Sequence, residues 1–271
     1  MKLNNLWQRI ITGIFFVAVI IGATLYHQYS FFLLLLLINV GSVFEFYRIT
    51  LNKVNYLALA FSIMLFIVPV LTKNKLQFQS LFAFLFSILA IIEVFKTNRN
   101  WKNIAFTVTG WIYITLPLSL FYQSSLVKSQ VGFIQLSELQ YNPLLAINLF
   151  ILIWCSDTYA YVCGRLLGKT PFYPAVSPKK TWEGFVGAII LTVITAYFMS
   201  NSMGINPLKN CLIAAATVVF GSIGDLVESM LKREHNIKDS GQILPGHGGF
   251  LDRFDALLIS LPITTLLYQL L

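Results

Sequence analysis

The chain reads as an all-α, polytopic integral membrane protein with about nine transmembrane helices. Three observations predict that class. Hydrophobic residues make up 57% of the 271 and charged residues 11%, whereas a soluble domain carries roughly 25% charged residues. A bilayer removes the need for that polar surface, because lipid faces apolar side chains directly. A spanning helix needs about 20 mostly apolar residues, and nine stretches qualify: roughly 10–28, 31–48, 55–72, 77–95, 104–123, 144–163, 183–200, 209–228 and 254–271. The connections between them alternate in charge. Fifteen of the 19 Lys and Arg residues share the side of the N-terminus, and only Lys73, Lys75, Lys128 and Lys209 fall on the other.

That bias puts the N-terminus in the cytoplasm and the C-terminus outside. The first stretch follows Lys2 and Arg9, as in a signal peptide. No small-x-small cleavage site follows, so it is read as a retained span. The whole of 1–271 forms one membrane domain, without a soluble domain or an internal repeat. The helices of 1–125 are assigned no role, and 144–271 carries the chemistry. The longest polar connections are 124–143, 164–182 and 229–253. Cys155, Cys163 and Cys211 all lie in apolar stretches and read as small buried hydrophobes. The net charge of +8 is topogenic and suits anionic headgroups, not nucleic acid.

Six of the 11 acidic residues crowd between 225 and 255: Asp225, Glu228, Glu234, Asp239, Asp252 and Asp255. Glycines and basic residues are mixed among them, which a merely topogenic loop does not need. Asp225, Glu228, Ser229 and Lys232 share a helix face by their i, i+3, i+4, i+7 spacing. A carboxylate at the end of an apolar run costs about 2.5–3.5 kcal/mol on insertion scales, so Asp225 calls for a cavity and a partner. Gly221 and Gly224 allow close backbone approach to that face. Asp252 and Asp255 open the last helix with the same i, i+3 relation. Hard oxygen ligands in this number suit Mg²⁺, with Mn²⁺ as a substitute. The string Pro245 to Gly249 leads into that helix, where glycine backbone N–H groups and the helix N-terminus favour an anion. His247, Gly248 and Gly249 are candidate phosphate contacts.

A second cluster precedes it. Asp157 lies inside an apolar helix. Ser177, Lys179, Lys180 and Thr181 then offer hydroxyl and ammonium donors within five residues, with Glu183 in the first turn of the next helix. This arrangement fits an anion site at a helix N-terminus.

These residues resemble a known signature. Ser229-x-x-Lys232-Arg233-x4-Lys238-Asp239-x-Gly241-x3-Leu244-Pro245-x-His247-Gly248-Gly249-x-x-Asp252-Arg253-x-Asp255 is similar to that of the phosphatidate cytidylyltransferase, or CDP-diacylglycerol synthase, family. Gly224-Asp225-x-x-Glu228-Ser229, Gly164-Arg165, Gly168-Lys169 and Ser177-Pro178-Lys179-Lys180-Thr181-Trp182-Glu183-Gly184 fit the same family. The resemblance covers roughly 154–256, and Tyr159 departs from it where family members carry a small residue.

The resemblance implies the reaction CTP + phosphatidate → CDP-diacylglycerol + pyrophosphate with Mg²⁺, in a multi-pass protein of the bacterial plasma (inner) membrane whose site faces the cytoplasm. On this reading Asp225 and Asp252 hold metal and Asp255 supports them. Lys232, Arg233, Lys238 and Arg253 neutralise phosphate oxygens, and Ser177, Lys179, Lys180 and Thr181 contact nucleotide or lipid phosphate. Asp157, Glu183, Ser229 and Asp239 complete the expected substrate site. The lipid phosphate is itself an anionic nucleophile, so no general base is assigned. A CTP-dependent lipid-alcohol kinase and an ion-coupled secondary transporter with Asp157 and Asp225 as coupling carboxylates are the alternatives. A homodimer is compatible with the sequence, which does not set oligomeric state.

Overall fold

In a computed structural model of the chain, residues 2–51, 54–72, 75–95, 100–131, 134–241 and 248–271 are described. The elements are α1 (Lys2–Tyr26), α2 (Gln28–Thr50), α3 (Tyr56–Thr72), α4 (Lys75–Phe95), α5 (Trp101–Gly110), a π turn (Trp111–Thr115), α6 (Leu116–Ser124), β1 (Leu126–Val131), β2 (Ile134–Tyr141), α7 (Pro143–Leu167), β3 (Pro171–Tyr173), β4 (Ser177–Thr181), α8 (Trp182–Met203), α9 (Pro207–Glu234) and α10 (Leu251–Leu270). Each apolar stretch of the sequence coincides with a helix, the fifth being α5, the π turn and α6 in continuity. Among the described residues, five helices are long and apolar enough to cross a membrane: Gln28–Thr50, Trp101–Ser124, Pro143–Leu167, Trp182–Met203 and Pro207–Glu234. Thr12–Tyr26, Tyr56–Val68 and Ser80–Val94 are shorter apolar helices.

Helix starts follow local chemistry. Asn142 and Asn206 cap α7 and α9 ahead of Pro143 and Pro207 at the first helical position. Thr181 caps α8 by accepting from Gly184 N at 3.2 Å, and Gly204 ends it in the left-handed region at φ +64°.

The structure corrects several sequence expectations. The connection 124–143 holds an antiparallel hairpin, β1 with β2. The cluster 177–181 is a strand, β4, paired with β3 in register Tyr173↔Ser177 and Pro171↔Thr181. Helix α9 runs to Glu234, not 228, and α7 to Leu167, not 163. At 1.5 Å per residue, Asp225 therefore lies about 13 Å and Asp157 about 15 Å inside their helix ends.

Helices α7, α8, α9 and α10 pack in succession, and α6 also packs on α10. Small residues let them approach. A methyl at Gly184 would meet Ala160 O at 2.7 Å and Gly164 Cα at 3.1 Å, and Gly224 is packed against the Asp255 carbonyl. Tyr159 bridges α7 to α8 through Thr195 Oγ1 at 3.0 Å. One apolar core joins both halves of the chain, from Phe31 and Leu35 through Phe121 and Phe150 to Leu257 and Leu261. The N-terminal helices are thus integral to the packing around α10.

Candidate active site

The seam between α9 and α10 gathers a row of carboxylates. Asp225 on α9 lies beside Asp255 on α10, and Glu228 on α9 beside Asp252 on α10. Each pair carries a lysine. Lys180, from β4, forms an ion pair with Asp225 Oδ2. Lys232 pairs with Glu228 and reaches Asp252 Oδ1 at 2.7 Å. Asp157 lies within the electrostatic reach of Asp225, Lys180 and Arg253. The structure thus brings together Asp157, Lys180, Asp225, Lys232, Asp252 and Asp255 from the sequence expectation.

Asp252 also holds Ser240 and Gly249 together. Its Oδ2 accepts from Ser240 N, Ser240 Oγ and Gly249 N, each at 2.9 Å. Gly248 takes φ +83° here, and a methyl on it would meet Asp252 Oδ2 at 2.7 Å, so this approach to the carboxylate requires glycine. Sequence reasoning missed a second clasp, on Ser240 and the start of α10. Glu45, buried in α2, accepts from Phe250 N at 3.0 Å and from Leu251 N and Ser240 Oγ at 2.9 Å. α10 has no side-chain cap from its own neighbours. Glu45 supplies it across 206 positions of sequence. An acid inside an apolar span was the available signal.

A cavity of about 400 Å³ opens beside the row, within the range of small-molecule sites. Its lining combines Asp157, Arg165, Lys179, Lys180, Thr181 and Asp225 with Ala160, Phe172 and Phe185. Phe172 and Phe185 stack at 5.1 Å between centroids.

Other expected residues lie elsewhere. Glu183 accepts from Thr170 N at 3.1 Å, tying the bend just before β3 to the start of α8, and is not part of the cavity lining. Ser177 begins β4 outside the cavity lining. Ser229 is half-buried one position after Glu228, while Arg233, Lys238 and Asp239 are exposed beyond the row. Lys232 is engaged by two carboxylates and is not a free phosphate clamp. His247 lies outside the described residues.

A divalent cation fits this donor set. Two carboxylates in contact in a low-dielectric setting need a proton or a cation between them. Glu228 Oε1 is buried without a hydrogen-bond partner among the described residues. Among those residues no three acids or other metal-binding side chains converge on one point. Pairs, not a cage, suit Mg²⁺, which takes one or two carboxylates and completes its shell with water and substrate phosphates.

Comparison with known proteins assigns this arrangement a class. A model of the cytidylyltransferase family matches residues 7–271, and the chain belongs to that family; it is a membrane nucleotidyltransferase. The chain is 37% identical over 197 residues to the phosphatidate cytidylyltransferase of Staphylococcus saprophyticus subsp. saprophyticus, covering 72% of this chain and 70% of that protein. It is 32% identical over 273 residues to the phosphatidate cytidylyltransferase of Staphylococcus haemolyticus, covering 98% of each. A Staphylococcus epidermidis protein of the same name is 35% identical over 195 residues, with 71% and 69% covered.

Proposed function

We propose that the chain condenses CTP with phosphatidate in the bilayer, releasing pyrophosphate and forming CDP-diacylglycerol. A phosphate oxygen of the lipid attacks the α-phosphorus of CTP. A new P–O bond forms, the bond from the α-phosphorus to the bridging oxygen breaks, and its electron pair leaves on pyrophosphate. The observation that carries this reading is the cavity that reaches Asp225 of the carboxylate row and is lined by both cationic and apolar side chains of the apolar helices and β4. Lys179, Lys180 and Arg165 supply positive charge to phosphate oxygens, and the apolar lining admits the lipid. Orientation and fixed charge of this kind contribute much of the rate in phosphoryl transfer.

Asp225 and Asp252, with Asp255 beside them, would hold Mg²⁺ or Mn²⁺. The ion would supply counter-charge for the phosphates as negative charge moves to the leaving group. Lys180 and Lys232 are the cations that partly offset those carboxylates in its absence. All nine apolar helices span on this reading, with the N-terminus and both charged clusters on the cytoplasmic side, where CTP is available. The 15 to 4 distribution of basic residues supports that orientation.

The reaction is tested with purified protein in detergent. Pyrophosphate release must require both CTP and phosphatidate, and label in the α-phosphate of CTP must enter the lipid. Transfer of the γ-phosphate instead would make the protein a kinase. A reporter fused after Leu271 should appear outside and one near Lys238 inside. Both on one side would mean that α10 does not span.

A further inference from the structure

The hydroxyl of Tyr113 takes no part in the site described above. Tyr113 lies in the π turn Trp111–Thr115, a local widening of the helix that recurs at functional positions. That turn packs against α2 and α10, with the Tyr113 ring 6.1 Å from Phe46 between centroids. The hydroxyl is buried and has no hydrogen-bond partner among the described residues. A buried donor left unpaired costs free energy, and native structures rarely keep one without a reason. The same hydroxyl lies within the electrostatic reach of Asp255, Glu228 and Asp225, Asp255 acting most strongly. Glu228 Oε1 is likewise an acceptor without a partner among the described residues. An unsatisfied donor on the π turn and an unsatisfied acceptor on α9 therefore both belong to the surroundings of the carboxylate row, where a polar ligand would complete them.

We propose that Tyr113 donates a hydrogen bond to a phosphate oxygen of a substrate bound at the carboxylate row. It would be a substrate-binding residue contributed by the N-terminal half. The chemistry recognised is a phosphate ester, from the nucleotide or from the lipid. The inference rests on the nucleotidyl-transfer reading.

Tyr113→Phe tests it in the full-length protein, since it removes only the oxygen. No internal bond is lost, so the thermal unfolding midpoint in detergent should stay or rise. kcat/KM should fall about tenfold to a hundredfold, as expected for a hydrogen bond to a charged group. A rise confined to the KM for CTP, with weaker thermal protection by CTP, assigns the oxygen to the nucleotide. The same pattern with phosphatidate micelles assigns it to the lipid, and a fall in kcat alone assigns it to the reacting phosphate. Wild-type constants for both substrates would overturn the inference. So would a lowered midpoint with unchanged ligand protection, which would reveal a partner within the protein. If the wild-type protein forms no CDP-diacylglycerol, the reaction itself is refuted; if it does and the variant equals it, only the role of Tyr113 is.

Discussion

Glu45 offers the sharpest test of how the two halves of the chain cooperate. Its carboxylate is 1% exposed and accepts from Phe250 N, Leu251 N and Ser240 Oγ. Glu45→Ala strands the two backbone N–H groups, while the Ser240 hydroxyl keeps Asp252. Each buried donor left without an acceptor costs about 1–3 kcal/mol, so the change should destabilise the protein by about 2–6 kcal/mol. Glu45→Gln retains one carbonyl oxygen but turns an amide N–H₂ toward donors, and should cost about half as much on the same basis. Both losses fall on the first turn of α10, which carries Asp252 and Asp255. Turnover should therefore decline at temperatures where the protein is still folded. The assay is unfolding in detergent alongside pyrophosphate release, with Gln between wild type and Ala in both. A Glu45→Ala protein that unfolds like wild type and keeps full turnover would refute the clasp.

Three further outcomes follow from the same geometry. Asp225→Asn and Asp252→Asn should each abolish turnover and weaken Mn²⁺ binding measured by electron paramagnetic resonance, each nearly as much as the pair, because residues acting as a unit are not additive; Asp252→Asn should also lower stability through Gly249 and Ser240. Unchanged metal dependence in either variant counts against the metal assignment. Lys180→Ala should lower kcat/KM at least tenfold while the protein still inserts; wild-type kinetics would return β4 to a purely topogenic role. Gly184→Val should destabilise by about 1–3 kcal/mol through overpacking against backbone of α7 that cannot yield, read as a lower unfolding midpoint.

The parts of the site visible in the sequence were those where charge violated its surroundings. Asp157, Asp225 and the 252–255 pair stand in or against apolar runs, where an ionisable group is costly and so points to a partner. Hydropathy marked helix positions well but helix ends poorly. It follows the apolar boundary, whereas α9 continues for two amphipathic turns past it to Glu234. The short pairing of β3 with β4 carries no alternating pattern, so the bond from Glu183 to Thr170, just before β3, was not legible. Glu45 is an acid in an apolar span, yet its partners lie about 200 positions away, and no spacing rule connects them. The π turn has no local signature, and Tyr113 matters only because α10 is packed beside it.

The charge balance of the row bears on how a nucleotide and a lipid phosphate would share it. Asp225, Asp255, Glu228 and Asp252 face two ammonium groups, Lys180 and Lys232, which leaves a formal excess of two negative charges when every acid is ionised. In a low-dielectric seam that excess is unfavourable, and shared protons or a cation must relieve it. A divalent cation arriving with a nucleotide would cancel it, and would free the lysines of Asp225 and Asp252 for phosphate oxygens. On this reading the lysines first complete the empty site and then engage substrate, so binding of metal and nucleotide should be mutually dependent. The lipid phosphate would gain from the same exchange, since a second anion can enter only once the row no longer repels it. The cavity lined by Lys179, Lys180 and Asp225 would leave the row open to both substrates.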